Sequence, residues 1–162
     1  MPPSRTSLLR ALDLGLGGCC AFLLMGLAAL TVVDVVGRYV LTAPLPGAFE
    51  LTELMLGALV FAALPLATMT DEHVAVDALF DASPPRVRTA LAWLGGAATA
   101  VALWAIAWRL AVYSTRLGND EAVTDALLVP LAPLGWFAAG MAALSGVLAV
   151  VRLVAPSARS AS

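Results

Sequence analysis

Read from its N-terminus, the chain sets out long apolar stretches separated by short polar ones, and nowhere a sustained alternation of the two. The first apolar run covers 14–36, with Asp34 near its far end and Gly37, Arg38 and Tyr39 just beyond it. Pro44, Pro46 and Gly47 in the next few residues mark a turn. The second run, 49–69, carries Glu50 and Glu53 in its opening turns and Pro65 inside it. A proline there withholds one N–H from the helical ladder, so a kink is expected. The stretch 70–89 is the most polar in the chain, and Ser83 followed by Pro84 has the form of a cap and first-turn proline opening a helix. A third run covers 89–112. After Arg116, Asp120, Glu121 and Asp125, a fourth extends through 126–154, with Pro130 and Pro133 placing its regular part from about Leu134 onwards.

A helix needs about 20 mostly apolar residues to cross a hydrocarbon layer roughly 30 Å thick. The pattern therefore predicts an all-α integral membrane protein with four transmembrane helices at 14–36, 49–69, 89–112 and 134–154. Together they form a single membrane domain over 1–162. Composition agrees: 61% of the 162 residues are hydrophobic and 12% charged, against roughly 25% charged in ordinary globular domains, and the mean hydropathy is +0.93. The run after Arg5 and Arg10 is longer than a signal-peptide core and has no small-residue cleavage site, so it is expected to remain as the first span.

Basic residues near span ends orient such a bundle. With the N-terminus inside, Arg5, Arg10, Arg86, Arg88, Arg152 and Arg159 lie inside and Arg38, Arg109 and Arg116 outside. Both termini are thus expected in the cytoplasm. Tyr39, Trp108, Tyr113 and Trp136 then fall near the outer interface and Trp93 near the inner one, the depth that amphipathic rings favour.

The net charge of −2 and the lack of any basic run exclude nucleic acid as a partner, because clustered cations are needed to displace counterions. Cys19 and Cys20 are adjacent and have neither metal-ligand nor redox spacing. The polar residues inside or beside the apolar runs each need a reason. Asp34 precedes Arg38 by one turn, so a continuing helix would put the pair on one face, either closing the span or presenting a cation outward. Glu50 and Glu53 share a face at the positive end of a helix dipole; a contact with Arg38 or with another subunit is the alternative. No nucleophile or metal ligand accompanies them, so no catalytic residue is expected and the chain does not read as an enzyme. His73 stands alone among carboxylates in a loop, which supports neither haem nor zinc ligation. Small residues four apart, Ala58 and Ala62, Gly96 and Ala100, Ala142 and Gly146, would let helices approach closely.

The run GRYVLTAPLPGAFELTELMLGALVFAALPLATMTDEHVAVDAL, 37–79, resembles the small membrane subunit of tripartite ATP-independent periplasmic (TRAP) transporters, the DctQ family. The shared features are an Arg and an aromatic after span one, a proline-containing outer turn, a Glu-Leu pair opening span two and a His-Val-x-Val-Asp sequence on its cytoplasmic side. Many members have two adjacent acids at the start of that helix; here Phe49 precedes Glu50, and Glu53 lies a turn later. The resemblance implies a bacterial inner-membrane location and two partners: a large DctM-like permease that holds the substrate and sodium sites, and a DctP-like periplasmic protein that delivers an organic acid. It implies no cofactor in this chain. Arg38 and the outer turn would face the binding protein, Glu50 would stabilise that region, and His73 and Asp77 would order the cytoplasmic loop. Asp34 and Glu53 join these as polar residues for structure or partner contact.

Two other readings compete. A small proton-coupled multidrug exporter acting as a homodimer would place a carboxylate near the middle of a span, whereas Asp34 lies close to an end. A membrane anchor for a redox enzyme would place histidine pairs within the spans.

Overall fold

A computed structural model describes residues 3–43, 45–69 and 85–154. They form four helices, α1 Pro3–Tyr39, α2 Ala48–Met69, α3 Pro85–Asn119 and α4 Ala132–Val154, each long and apolar enough to cross a membrane. There is no β-strand among the described residues, only a single isolated bridge between Val123 and Pro130. The fold is therefore the expected all-α bundle. α2 and α4 cover the second and fourth runs closely. α1 and α3 exceed theirs at both ends, because Asp34, Gly37 and the residues after Val112 continue the helical ladder instead of ending it. Ser83 and Pro84 lie outside the described residues, with α3 already running at Pro85.

The helices stand in a row in the order α1, α2, α4, α3. α3 and α4 are antiparallel, with Gly96 beside Leu153, Trp104 beside Gly146, Ser114 beside Gly135 and Gly118 beside Ala132. α2 and α4 run parallel, since Glu50 reaches the segment just before α4 and Arg152 reaches the last residues of α2. All four helices thus turn at common ends, and the start of α1 shares one end of the bundle with the end of α4.

Small side chains fill the seams. Ala100, Leu103, Ala107 and Ser114 recur on α3 at helical spacing and are buried against Ala138, Ala142, Ser145 and Ala149 of α4, while Leu64 of α2 closes the cluster of Ala100, Leu103 and Ala149. The buried hydroxyls of Thr68, Ser114 and Ser145 each donate to the carbonyl four residues earlier, and none of the buried side-chain polar atoms among the described residues lacks a partner. Close approach of small residues is what drives helix association where lipid offers no hydrophobic contrast. α1 stands at the edge of the row on α2, with none of its apolar stretch buried within the chain.

Candidate functional site

Polar side chains collect where α1 meets α2 and α3 meets α4, and there they hold backbone instead of lining a path. The Asp34 carboxylate accepts from Arg38 at 2.8 Å and, through its second oxygen, from the Leu45 N–H at 3.2 Å. One acid therefore closes α1 and ties down the connection after it. Arg38 is 57% exposed and Asp34 17%, and an exposed pair one helical turn apart contributes only about 0.3–0.5 kcal/mol. The larger effect is geometric, since the guanidinium is held at a known place with part of its surface facing outward.

The connection between α3 and α4 is a folded hairpin. α3 ends with the Ala122 N–H on the Leu117 carbonyl and the Glu121 N–H on that of Gly118, with Glu121 at φ 48°, the left-handed closure that glycine usually makes. Beyond it the Thr124 N–H donates to Val129 and the Leu131 N–H to Ala122. The Thr124 hydroxyl accepts from Val129 at 3.1 Å. This tight turn points the N–H groups of Ala126 and Leu127 away from any backbone acceptor, a small anion-binding concavity. Glu50 fills it: one carboxylate oxygen accepts from Ala126 at 2.6 Å and the other from Leu127 at 3.0 Å.

Side-chain packing completes the join. Gly47 has φ 73°, and a Cβ built there would lie 2.5 Å from the Leu127 side chain. The left-handed turn and the close leucine both require glycine at this position. The two connections therefore form one layer, pinned by Asp34 and Glu50 and joined by Leu127. A shallow cleft opens in it between α2 and the hairpin, lined by Glu50, Glu53, Leu54, Thr124, Asp125 and Leu131. Glu53 makes no hydrogen bond to the described residues.

At the opposite end, Arg152 on α4 reaches back to α2, donating to the Thr68 carbonyl at 2.8 Å and also to that of Met69. The last carbonyls of a helix have no partner within it, and a cation there also suits the negative end of the dipole. Arg152 is therefore a cap supplied by a neighbouring helix. α2 and α4 are held to each other at both ends, by an acid on backbone N–H groups at one and by a cation on backbone carbonyls at the other.

Of the residues singled out in the sequence, Asp34 and Arg38 form an intrahelical pair. Glu50 meets the α3–α4 hairpin and not Arg38, and Glu53 borders the cleft. His73 and Asp77 lie outside the described residues. Sequence reasoning missed Arg152 as a cap, Thr124 as the organiser of the hairpin, and the hairpin itself. The described residues contain no group of three or more His, Cys, Asp or Glu placed to hold a metal ion.

Residues 27–159 match the family model described as tripartite ATP-independent periplasmic transporters, DctQ component. No curated protein matches the chain.

Proposed function

The chain belongs to the DctQ component family of tripartite ATP-independent periplasmic transporters and is a small multi-pass membrane subunit of such a transporter; from that premise we propose that it scaffolds the large permease and helps dock the binding protein. The membrane is the bacterial inner membrane, both termini are cytoplasmic, and the layer holding Asp34, Arg38 and Glu50 faces the periplasm. Sodium and an organic acid bind the large subunit.

The match over most of the chain carries this reading, and the distribution of polar groups supports the division of labour. Transporters that carry substrate alone place broken helices or a polar cluster near the membrane midplane. Here, among the described residues, no acidic or basic residue lies between 14 and 33 of α1, between 54 and 69 of α2 or between 132 and 151 of α4, and α3 carries Arg109 alone between 93 and 115. The same distribution disfavours the proton-coupled exporter, which needs a membrane carboxylate at depth. The apolar face of α1, at the edge of the row, offers the permease a broad surface to pack on, which widens the fixed frame against which a transport domain moves.

The direct test tags the C-terminus, extracts from native membranes in mild detergent and identifies what co-purifies by mass spectrometry. A stoichiometric, much larger multi-span protein is expected. Recovery of this chain alone as a homodimer would overturn the scaffold and restore the exporter.

In this arrangement Arg38 presents its charge to the binding protein from the α1 side, and His73 and Asp77 order the cytoplasmic loop. Arg38→Glu is expected to lower uptake at limiting binding protein by about fivefold, because charge complementarity governs the docking encounter. Assembly with the permease stays intact, and Arg38→Gln gives an intermediate loss. Unchanged uptake kinetics in the charge-reversed variant would remove Arg38 from the docking surface.

A further inference from the structure

The hairpin between α3 and α4 carries a feature that packing within the chain does not explain. Leu128 sits at φ 55°, where the Cβ of an L-residue crowds the next carbonyl oxygen and where glycine is at ease. The residue is 68% exposed, so burial within the chain offsets little of that cost. Its neighbour Leu127 is the one that seats over Gly47, so the inward contact of the hairpin is already made by another residue.

Nor does hydrocarbon explain it. Tyr113 and Trp136 are exposed rings of the kind that settle at headgroup depth, and α3 runs on from Tyr113 to Asn119, about 9 Å at 1.5 Å per residue, before the hairpin starts. The surrounding charge is also unsuited to a lipid surface. Asp120, Glu121 and Asp125 lie in the hairpin, Glu50 and Glu53 lie beside it, and between 110 and 151 the one basic residue is Arg116, a turn before Asp120. Anionic headgroups would be repelled from such a place.

What fits is a protein face of the opposite character. An exposed aliphatic side chain on a turn already fixed by Glu50, Thr124 and the α3 closure is preorganised, so little ordering entropy is lost when it enters a pocket. An acidic rim around an apolar centre matches a socket ringed by cations.

We propose that Leu128 is the apolar anchor by which this chain engages a soluble protein whose mating face offers an apolar socket rimmed by Arg or Lys. The inference rests on the docking role proposed above and adds the element that makes the contact and the chemistry that it meets. With Arg38 at the α1 side of the layer and the carboxylates of the hairpin at the α3 side, the two signs also fix the orientation of the partner.

The test uses the intact complex of this chain with its large permease in lipid nanodiscs and measures binding of the purified periplasmic binding protein. Leu128→Gly is the informative variant, because glycine suits the left-handed backbone and the hairpin keeps its shape while the anchor is lost. Affinity is expected to fall at least tenfold with recovery of the permease unchanged, and Asp125→Lys is expected to weaken binding more at low salt than at high. A photocrosslinker at 128 should label the binding protein. Equal affinity in Leu128→Gly, or crosslinks from 128 to lipid or permease alone, would overturn the anchor while leaving the docking role in place. Failure of the wild-type complex to bind the protein at all would overturn both.

Discussion

Replacing Gly135 with alanine is expected to destabilise the α3–α4 seam, and a second substitution at Ser114 is expected to restore much of the loss. A Cβ at Gly135 would lie 2.4 Å from the Ser114 hydroxyl oxygen, 3.2 Å from its Cβ and 3.6 Å from its Cα. Rotating the hydroxyl away relieves only the first contact and breaks its 2.7 Å bond to the Leu110 carbonyl. Ser114 is fully buried, so the new methyl has to be taken up by separating the helices. Overpacking of this kind costs about 1–3 kcal/mol, against which alanine recovers up to about 1 kcal/mol of helix propensity. The net effect should be a lower unfolding midpoint in detergent, with Gly135→Leu worse than Gly135→Ala. In Gly135→Ala combined with Ser114→Gly, the remaining neighbour at 3.6 Å is ordinary van der Waals contact. The double variant should therefore be more stable than the sum of the two single losses. Additive losses would mean that the two residues do not meet in the membrane.

The contact at Gly135 belongs to a general feature of this fold. Between two helices in lipid, apolar area alone gives no preference for protein over acyl chain, so association rests on how closely backbones approach and on hydrogen bonds that leave nothing unsatisfied. α4 meets both needs with alanine, glycine and a serine that bonds its own helix. The bulky side chains are turned outward, including Val147, Val150 and Val151. An amphipathic soluble helix would show the reverse.

This inversion also decides how much could be read from sequence. Four helices were legible because run length against bilayer thickness is a one-dimensional signal. The small-residue pairs were visible but uninformative, since a chain rich in alanine and glycine contains many. Gly96, Ala100, Ala142 and Gly146 do lie along the α3–α4 seam, and nothing in their spacing distinguishes them from pairs that face lipid. The hairpin was hidden for another reason. Leu127, Leu128, Val129 and Leu131 merge with the apolar run of α4, and although Pro130 and Pro133 set them outside its regular part, only the bonds from Thr124 to Val129 and from Leu131 to Ala122 make them a turn. Arg152 and Glu50 were legible as charges at helix ends, but not by their partners. Each reaches backbone atoms of an element more than 70 residues away, and backbone groups are the same whatever the sequence. Side-chain pairs leave a mark in sequence, as Asp34 and Arg38 did.

Glu50→Ala tests whether that long-range contact holds the layer together. Its carboxylate is the acceptor for both Ala126 and Leu127, in a turn where the N–H groups of Thr124, Leu128, Val129 and Leu131 are already committed to Val129, Thr124 and Ala122. Without it the two N–H groups have water as their acceptor, and the hairpin keeps its side-chain packing, with Leu127 over Gly47, but loses its polar tie to α2. Hydrogen exchange at Ala126 and Leu127 should quicken by about tenfold or more, with the seam amides of α3 and α4 unaffected. Docking of the binding protein should weaken in parallel, because an anchor on a loose hairpin pays ordering entropy that a fixed one does not. Glu50→Gln retains one side-chain carbonyl oxygen as acceptor and loses the charge, so it should fall between wild type and Glu50→Ala. Glu53→Ala, one turn on and bordering the cleft, takes no bond from these amides and serves as the control, with wild-type exchange at both. Unchanged exchange in Glu50→Ala would show that the hairpin is held by its own turn geometry, and would leave the carboxylate free for a partner.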